Sequence, residues 1–234
     1  MVITEHTTVG EIAAAIPSSV RVFQRHNIDF CCGGRTPLGV ACRDRGVSFA
    51  EVALAVEEAS APASPDDRDW SREPLRLLIE HIVGTYHRPL RDELPRLGAM
   101  ATKVAAVHGA KAPQLSRVKA LVSALSDDLT LHMQKEERML FPAIRAIEDG
   151  PQLVIPLNAP ITVMEREHDG AGEMLSELRV ITGGYVAPAW ACGTFRALYQ
   201  GLAELESDMH VHVHLENNVL FPRAMDLVRS GAQG

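Results

Sequence analysis

The chain has 234 residues, 46% of them hydrophobic and 5% aromatic, and a formal net charge of −7. That length suits a small module beside a main domain with a largely aliphatic core. The acidic balance argues against nucleic acid as the main partner, because a phosphate backbone is held through clustered Lys and Arg. No apolar run approaches the roughly 20 residues of a membrane helix, so no membrane partner is expected. Residues 1–8 have neither a basic start nor an apolar stretch, which argues against a secretory signal. Four cysteines, two of them adjacent, do not make a disulfide framework, and a cytoplasmic location is the simplest expectation.

Residues 1–60 read as a small helical module. Thr8-x-x-Glu11 and Ser48-x-x-Glu51 are capping boxes that open short helices. Between them, Asn27-Ile28-Asp29-Phe30-Cys31-Cys32-Gly33-Gly34 has the composition of a turn. Residues 61–70 are small, proline-bearing and then charged, which is a linker composition. Residues 71–234 carry four long helical patterns. The first is capped by Ser71 and runs to about Gly98, with kinks at Pro89 and Pro95. The second runs from near Pro113 to about Asp149. The third opens at Asn158-Ala159-Pro160 and stops at Gly183-Gly184. The fourth runs from about Pro188 to Arg229. No segment alternates with the period of a strand, so the fold class is all-α.

The second and fourth helices repeat a motif. His132-x3-Glu136, followed by Leu140-Phe141-Pro142, matches His212-x3-Glu216, followed by Leu220-Phe221-Pro222, at a constant offset of 212 − 132 = 80. The first and third helices add His87 and His168, at an offset of 168 − 87 = 81. The bundle therefore reads as a duplicated helical hairpin, each copy offering one lone His and one His-x3-Glu.

These residues fall on the apolar stripe of each helix. In the second helix the stripe is Leu115, Val118, Leu121, Val122, Leu125, Leu129, His132, Met133, Glu136, Met139, Leu140, Ala143, Ile144 and Ile147. In the fourth, His212 and Glu216 lie among Phe195, Leu198, Leu202, Leu205, Met209, Val213, Val219 and Leu220. Both series keep a period near 3.6 residues. A buried, unpaired carboxylate costs several kcal/mol, and two in one core cost more. Cations remove that penalty. Residues four apart on a helix have Cβ atoms about 6 Å from each other, close enough to serve one centre or two adjacent ones. Four imidazoles and two carboxylates suit iron or manganese better than zinc. The order His-x3-Glu also differs from the Glu-x-x-His of ferritin-like carboxylate bundles. His6, His26, His81, His108, His210 and His214 are assigned to surface, supporting or packing positions.

At these motifs the chain resembles the repair-of-iron-centres proteins, the YtfE/ScdA type of iron–sulfur cluster repair family. The likeness runs through Asp29-Phe30-Cys31-Cys32-Gly33-Gly34, Tyr86-His87, His132-x3-Glu136, Val163-Met164-Glu165-x-Glu167-His168-Asp169 and His212-x3-Glu216-Asn217-Asn218. It implies a hemerythrin-like four-helix bundle with a small N-terminal helical domain. It also implies two non-haem iron ions per chain, oxo-bridged when oxidised, held by His87, His132, Glu136, His168, His212 and Glu216, with the two glutamates as bridges. The implied function is repair of iron–sulfur clusters damaged by nitric oxide or oxidants, with iron–sulfur proteins as clients.

Within that frame three activities stand open. Ferrous iron is donated to damaged clusters, with Cys31 and Cys32 assisting the transfer. Alternatively nitric oxide or peroxide is reduced at the metal pair. The third is a sensor or binder of oxygen or nitric oxide. Asp128 and Glu167 flank the ligand set and are candidates to line a polar path. Pro89 follows His87 by two residues and puts the first ligand at an expected kink. Cys42 and Cys192 belong to no motif. Monomer and homodimer are both compatible with the sequence.

Overall fold

The structure, a computed structural model, describes residues 1–59, 68–150 and 156–231. Among the described residues there is no β-strand, only an isolated bridge between Thr8 and Pro37. The protein is all-α, as its periodicity predicts. Most of the expected linker, residues 61–67, lies outside the described residues. The chain divides into two compact units: Met1–Glu80 with Ala143–Asn158 and His210–Gly234, and His81–Pro142 with Ala159–Met209.

The first unit begins with α1 (Val9–Ala15), α2 (Ser19–Arg25), α3 (Leu38–Arg45) and α4 (Phe49–Ala59). At α1 the expected capping box forms in both directions: Thr8 Oγ1 accepts from the Glu11 N–H, and the Glu11 carboxylate accepts from the Thr8 N–H at 3.0 Å. At α4, Ser48 Oγ accepts from the Glu51 N–H at 3.4 Å. Val9, Ile12, Val22, Phe23, Phe30, Leu38, Val52 and Val56 are buried and form the core of this helical module.

The next helix departs from expectation at its start. Ser71 does not cap it; its hydroxyl donates to Asp69 Oδ1 at 2.5 Å. Helix α5 (Leu75–Ile82) begins after Pro74, and the Glu148 carboxylate accepts from its first N–H groups, Leu75 at 2.6 Å and Arg76 at 3.0 Å. A carboxylate distant in sequence thus does what a local serine was expected to do, and no local pattern could reveal it.

The long helices carry the remaining elements: α6 (Arg88–His108), α7 (Leu115–Lys135), α8 (Phe141–Asp149), α9 (Asn158–Ile181), α10 (Gly193–His214) and α11 (Phe221–Gly231). Helix α6 extends ten residues past the expected stop at Gly98. The last helix opens at Gly193 rather than Pro188, because residues 188–191 form a turn closed by the Ala191 N–H on the Pro188 carbonyl. Helix α9 ends as expected, at Gly183 and Gly184, whose φ values of 63° and 74° lie in the left-handed region that favours glycine.

Three π-helical turns interrupt these helices: Val83–His87, Glu136–Leu140 and Leu215–Leu220. Each is followed by one residue and then a proline. The residue before the proline donates its N–H five positions back: Arg88 to Val83, Phe141 to Glu136, Phe221 to Glu216. Proline has no N–H, and its ring crowds the carbonyl four residues earlier. One extra residue in the preceding turn relieves that clash without breaking the helix. The expected kink at Pro89 is therefore a widened turn. Pro95 passes inside α6 with no such turn, so proline alone does not dictate one. All three π turns carry candidate ligands, His87, Glu136 and Glu216, in keeping with the occurrence of such turns at functional sites.

The extra residue also shifts the helical phase. Met139, expected on the apolar stripe, is 71% exposed, while Leu140 and Ile144 remain buried.

Candidate metal centre

All six candidate ligands are buried. His87, Glu136 and Glu216 are fully so, and His132, His168 and His212 nearly so. Two groups have ligand atoms within 4.8 Å of one another: His87, Glu136, His212 and Glu216, and His132, Glu136, His168 and Glu216. Glu136 and Glu216 belong to both.

The hydrogen bonds around His87 and His132 fix what their rings present. His87 Nδ1 lies 2.8 Å from Glu137 Oε1, and His132 Nδ1 lies 2.9 Å from Glu167 Oε2. A carboxylate accepts, so each ring carries a proton on Nδ1 and, in its neutral form, offers a lone pair on Nε2. Each supporting carboxylate is in turn clamped by a cation. Arg91 Nη2 donates to Glu137 at 2.6 Å, and Lys135 pairs with Glu167. Burial raises the Glu137 carboxyl, but the bonds from Arg91 and His87 outweigh it and hold the group below the usual carboxylate range. For Glu167, burial is likewise outweighed by Lys135 and His132. Both carboxylates are therefore ionised at neutral pH, as the Nδ1–H tautomer requires.

Those lone pairs converge on a third acceptor. Glu136 Oε2 lies 3.4 Å from His87 Nε2 and 3.4 Å from His132 Nε2. No hydrogen bond reaches either oxygen of this fully buried carboxylate. His168 Nε2 lies 3.0 Å from His132 Nε2, and His212 Nε2 lies 3.0 Å from Glu216 Oε1. A fully buried carboxylate with no hydrogen bond, set against two imidazole nitrogens in a dry core, is costly unless a cation takes the electron pairs. The donor set fits a cation of the imidazole- and carboxylate-binding type, such as iron.

Of the flanking candidates, Glu167 supports a ligand ring, whereas Asp128 is exposed on α7 and belongs to neither group. The cysteine turn is ordered by Asp29. Its Oδ1 accepts from the N–H groups of Cys31 at 3.0 Å and Cys32 at 3.1 Å, and from the Cys31 thiol at 3.3 Å. The two sulfurs are 3.9 Å apart and both cysteines are free. The hydrogen bond with Cys32, together with burial, pushes the Cys31 thiol well above its ordinary pKa. It is therefore protonated at neutral pH.

Two residues just after Glu216 dock on this turn. Asn218 Nδ2 donates to the Phe30 carbonyl at 3.0 Å and the Cys31 carbonyl at 3.3 Å, and Asn217 Nδ2 reaches the Cys31 carbonyl at 3.4 Å. Gly10 and Gly34 leave the room, since a Cβ on either would come within 2.4 Å of Asn218 Oδ1. His214, assigned from sequence to a bland role, is buried with its edge toward Phe30 and its Nδ1 3.1 Å from Asn218 Nδ2. Burial pushes its pKa down to about 4, so it is the neutral ring that meets the Asn218 amide.

Sequence reasoning missed Glu137, Arg91, Lys135 and the docking asparagines. Glu137 had a signal: an acidic residue beside a ligand on a buried stripe. The asparagines carried none before the turn they meet was known.

Residues 78–224 match the family model of the hemerythrin HHE cation binding domain, and residues 5–60 match ScdA_N, described as a domain of unknown function. The chain is 41% identical over 218 residues to the iron–sulfur cluster repair protein YtfE of Pectobacterium atrosepticum, covering 93% of this chain and 96% of that one. The YtfE protein of Musicola paradisiaca is 42% identical over the same shares, and that of Yersinia pseudotuberculosis 40% identical over 219 residues, again 93% and 96%. The fold and site define a hemerythrin-type cation-binding helical protein. Within that class, the chain belongs to the family of YtfE iron–sulfur cluster repair proteins. Among the described residues no helix is long and apolar enough to cross a membrane.

Proposed function

We propose that this protein repairs iron–sulfur clusters damaged by nitric oxide or oxidants, as a di-iron protein that supplies ferrous iron. The observation that carries the metal reading is Glu136, a buried carboxylate with no hydrogen-bond donor, 3.4 Å from two imidazole nitrogens that bear lone pairs. His87 and His132 are presented by Glu137 and Glu167, while His168, His212, Glu136 and Glu216 complete the ligand set. Glu136 and Glu216, common to both groups, are the proposed bridges. Iron bound there would supply ferrous ions as cargo for damaged clusters in client proteins. The names carried by the relatives support repair as the outcome. We assign residues 1–60 to the thiol module, 61–70 to the linker and 71–234 to the iron domain, a division consistent with the two family matches. Cys31 and Cys32 are proposed to assist transfer of iron to the client. The free cysteines suit a reducing cytoplasm.

Metal analysis by mass spectrometry and the absorption spectrum of the oxidised protein test this. About two irons per chain with oxo-bridge bands are expected, and both disappear in Glu136→Ala/Glu216→Ala. Little iron after reconstitution, or a spectrum indifferent to the glutamates, overturns the site. The repair reading stands or falls separately. Iron-loaded protein should restore the activity of an iron–sulfur enzyme inactivated by nitric oxide, and the double variant should not.

The sharing of both glutamates by two adjacent groups favours a second reading, reduction of nitric oxide to nitrous oxide by the same centre. Single-turnover reaction of the reduced protein with nitric oxide decides it: release of nitrous oxide establishes the activity, and its absence excludes it.

A further inference from the structure

Cys192 fits no motif in the sequence, yet the second unit gives it a partner. His108 Nε2 lies 3.3 Å from Cys192 Sγ. Cys192 is exposed and stands just before the first residue of α10, where the N–H groups of Thr194 and Phe195 bond its sulfur. His108 is the last residue of α6. These are long helices, of 21 and 22 residues, so the pair sits between two full macrodipoles. The positive end of α10 favours a thiolate at Cys192, and the His108 ring stands within hydrogen-bond reach to take its proton. The His108 ring also lies 5.7 Å from the Trp190 ring centroid and 5.6 Å from that of Phe195, contacts that suit an imidazolium.

The surroundings indicate what could reach this sulfur. Trp190 is 40% exposed and forms an apolar wall beside the pair, with Lys111 Nζ 4.1 Å from its centroid. Arg196 bonds the carbonyls of Ala189 at 2.9 Å and Ala191 at 3.0 Å, in the turn that leads to Cys192. His108 bonds the sulfur itself, while Lys111 on the Trp190 ring and Arg196 on the preceding turn add positive charge to the same segment.

We propose that Cys192 and His108 form a thiolate–imidazolium pair that accepts a low-molecular-weight disulfide bearing carboxylates, leaving Cys192 as a mixed disulfide. The Cys192 thiolate attacks one sulfur of the disulfide, a new S–S bond forms as the old one breaks, and the leaving thiolate takes the proton held on His108. The incoming disulfide is itself the oxidant, so no other co-reactant is needed. The His108 hydrogen bond, aided by the two backbone amides, lowers the Cys192 thiol to about 7. Two of the other thiols, Cys31 and Cys42, are buried and poorly placed to compete. Cys31 is raised by its bond with Cys32 and by burial, and Cys42 is raised by burial. The site uses none of the six candidate metal ligands and stands independently of the iron reading.

Reduced full-length protein incubated with glutathione disulfide, from about pH 5 to about pH 9, tests the pair by intact mass and peptide mapping. The adduct should form first at Cys192, with a rate that rises around a midpoint of about 7. His108→Gln should raise that midpoint toward the ordinary thiol value of about 8.5, stopping short of it because the Thr194 and Phe195 amides remain. It should also slow the reaction at neutral pH by no more than about threefold, because the less acidic thiolate is the better nucleophile. Cys192→Ser should remove the early adduct. First adduct formation at another cysteine, or a wild-type midpoint near 8.5, overturns the proposal, and this wild-type profile decides the matter even if His108→Gln does not fold.

Discussion

His132-x3-Glu136 and His212-x3-Glu216 are the same sequence device twice over, yet the residues that follow them serve different ends. After Glu136 comes Glu137, which turns to His87 Nδ1 and is clamped by Arg91; Arg138 and Met139 face solvent. After Glu216 come Asn217 and Asn218, which donate to the carbonyls of the cysteine turn, and Val219, which is 3% exposed. Helix α1 packs against the π turn at Leu215–Leu220, whereas Arg138 and Met139 at the corresponding turn of the first copy are exposed. The sequence repeat gives two His-x3-Glu pairs. The positions just beyond each glutamate differ, one copy contacting a candidate ligand ring and the other the cysteine turn.

The comparison can be broken at Glu137. Glu137→Gln keeps the shape and an acceptor oxygen but loses the charge that holds His87 as its Nδ1–H tautomer. Iron affinity should fall about 10–100-fold, read by competition with a chelator, and Glu167→Gln should act alike through His132. Asn217→Ala, one residue after the other glutamate, should leave iron affinity unchanged. Equal losses for the two copies would mean that the division of labour is wrong.

Much of this was legible before the structure. The all-α class and the burial of His87, His132, Glu136, His168, His212 and Glu216 follow from a 3.6-residue period that polar residues share with Leu and Val. What could not be read were effects that depend on distant partners. Glu148 caps α5 across 73 residues, so the local signal at Ser71 points to the wrong cap. The π turns follow a proline rule that Pro95 does not obey, which is why Met139 was placed on the wrong face. Cys192 and His108 are 84 residues apart and meet only because two helix ends do.

Asn218→Ala tests the other half of the comparison. It removes the donor to two partly buried carbonyls and the partner of His214 Nδ1. Leaving such groups unsatisfied costs about 1–3 kcal/mol, expected as a lowered thermal midpoint and faster proteolysis in residues 1–59, with bound iron retained. If the iron were lost as well, Asn218 would be supporting Glu216 rather than the thiol module.

The smallest expected effect is at the equivalent position of the first copy. Arg138 occupies the site of Asn218 in the repeat, but it is exposed. Arg138→Ala should therefore change stability by less than about 0.5 kcal/mol, the usual range for a surface substitution without special partners. The contrast between the two variants matters more than either value, since both sit two residues beyond a buried glutamate on a π turn. A large loss at Arg138 would mean that this bare face is covered in solution, and that the first copy has a docked partner of its own. A negligible loss beside a clear one at Asn218 would show that the sequence difference, rather than the shared helical geometry, decides which copy carries the thiol module.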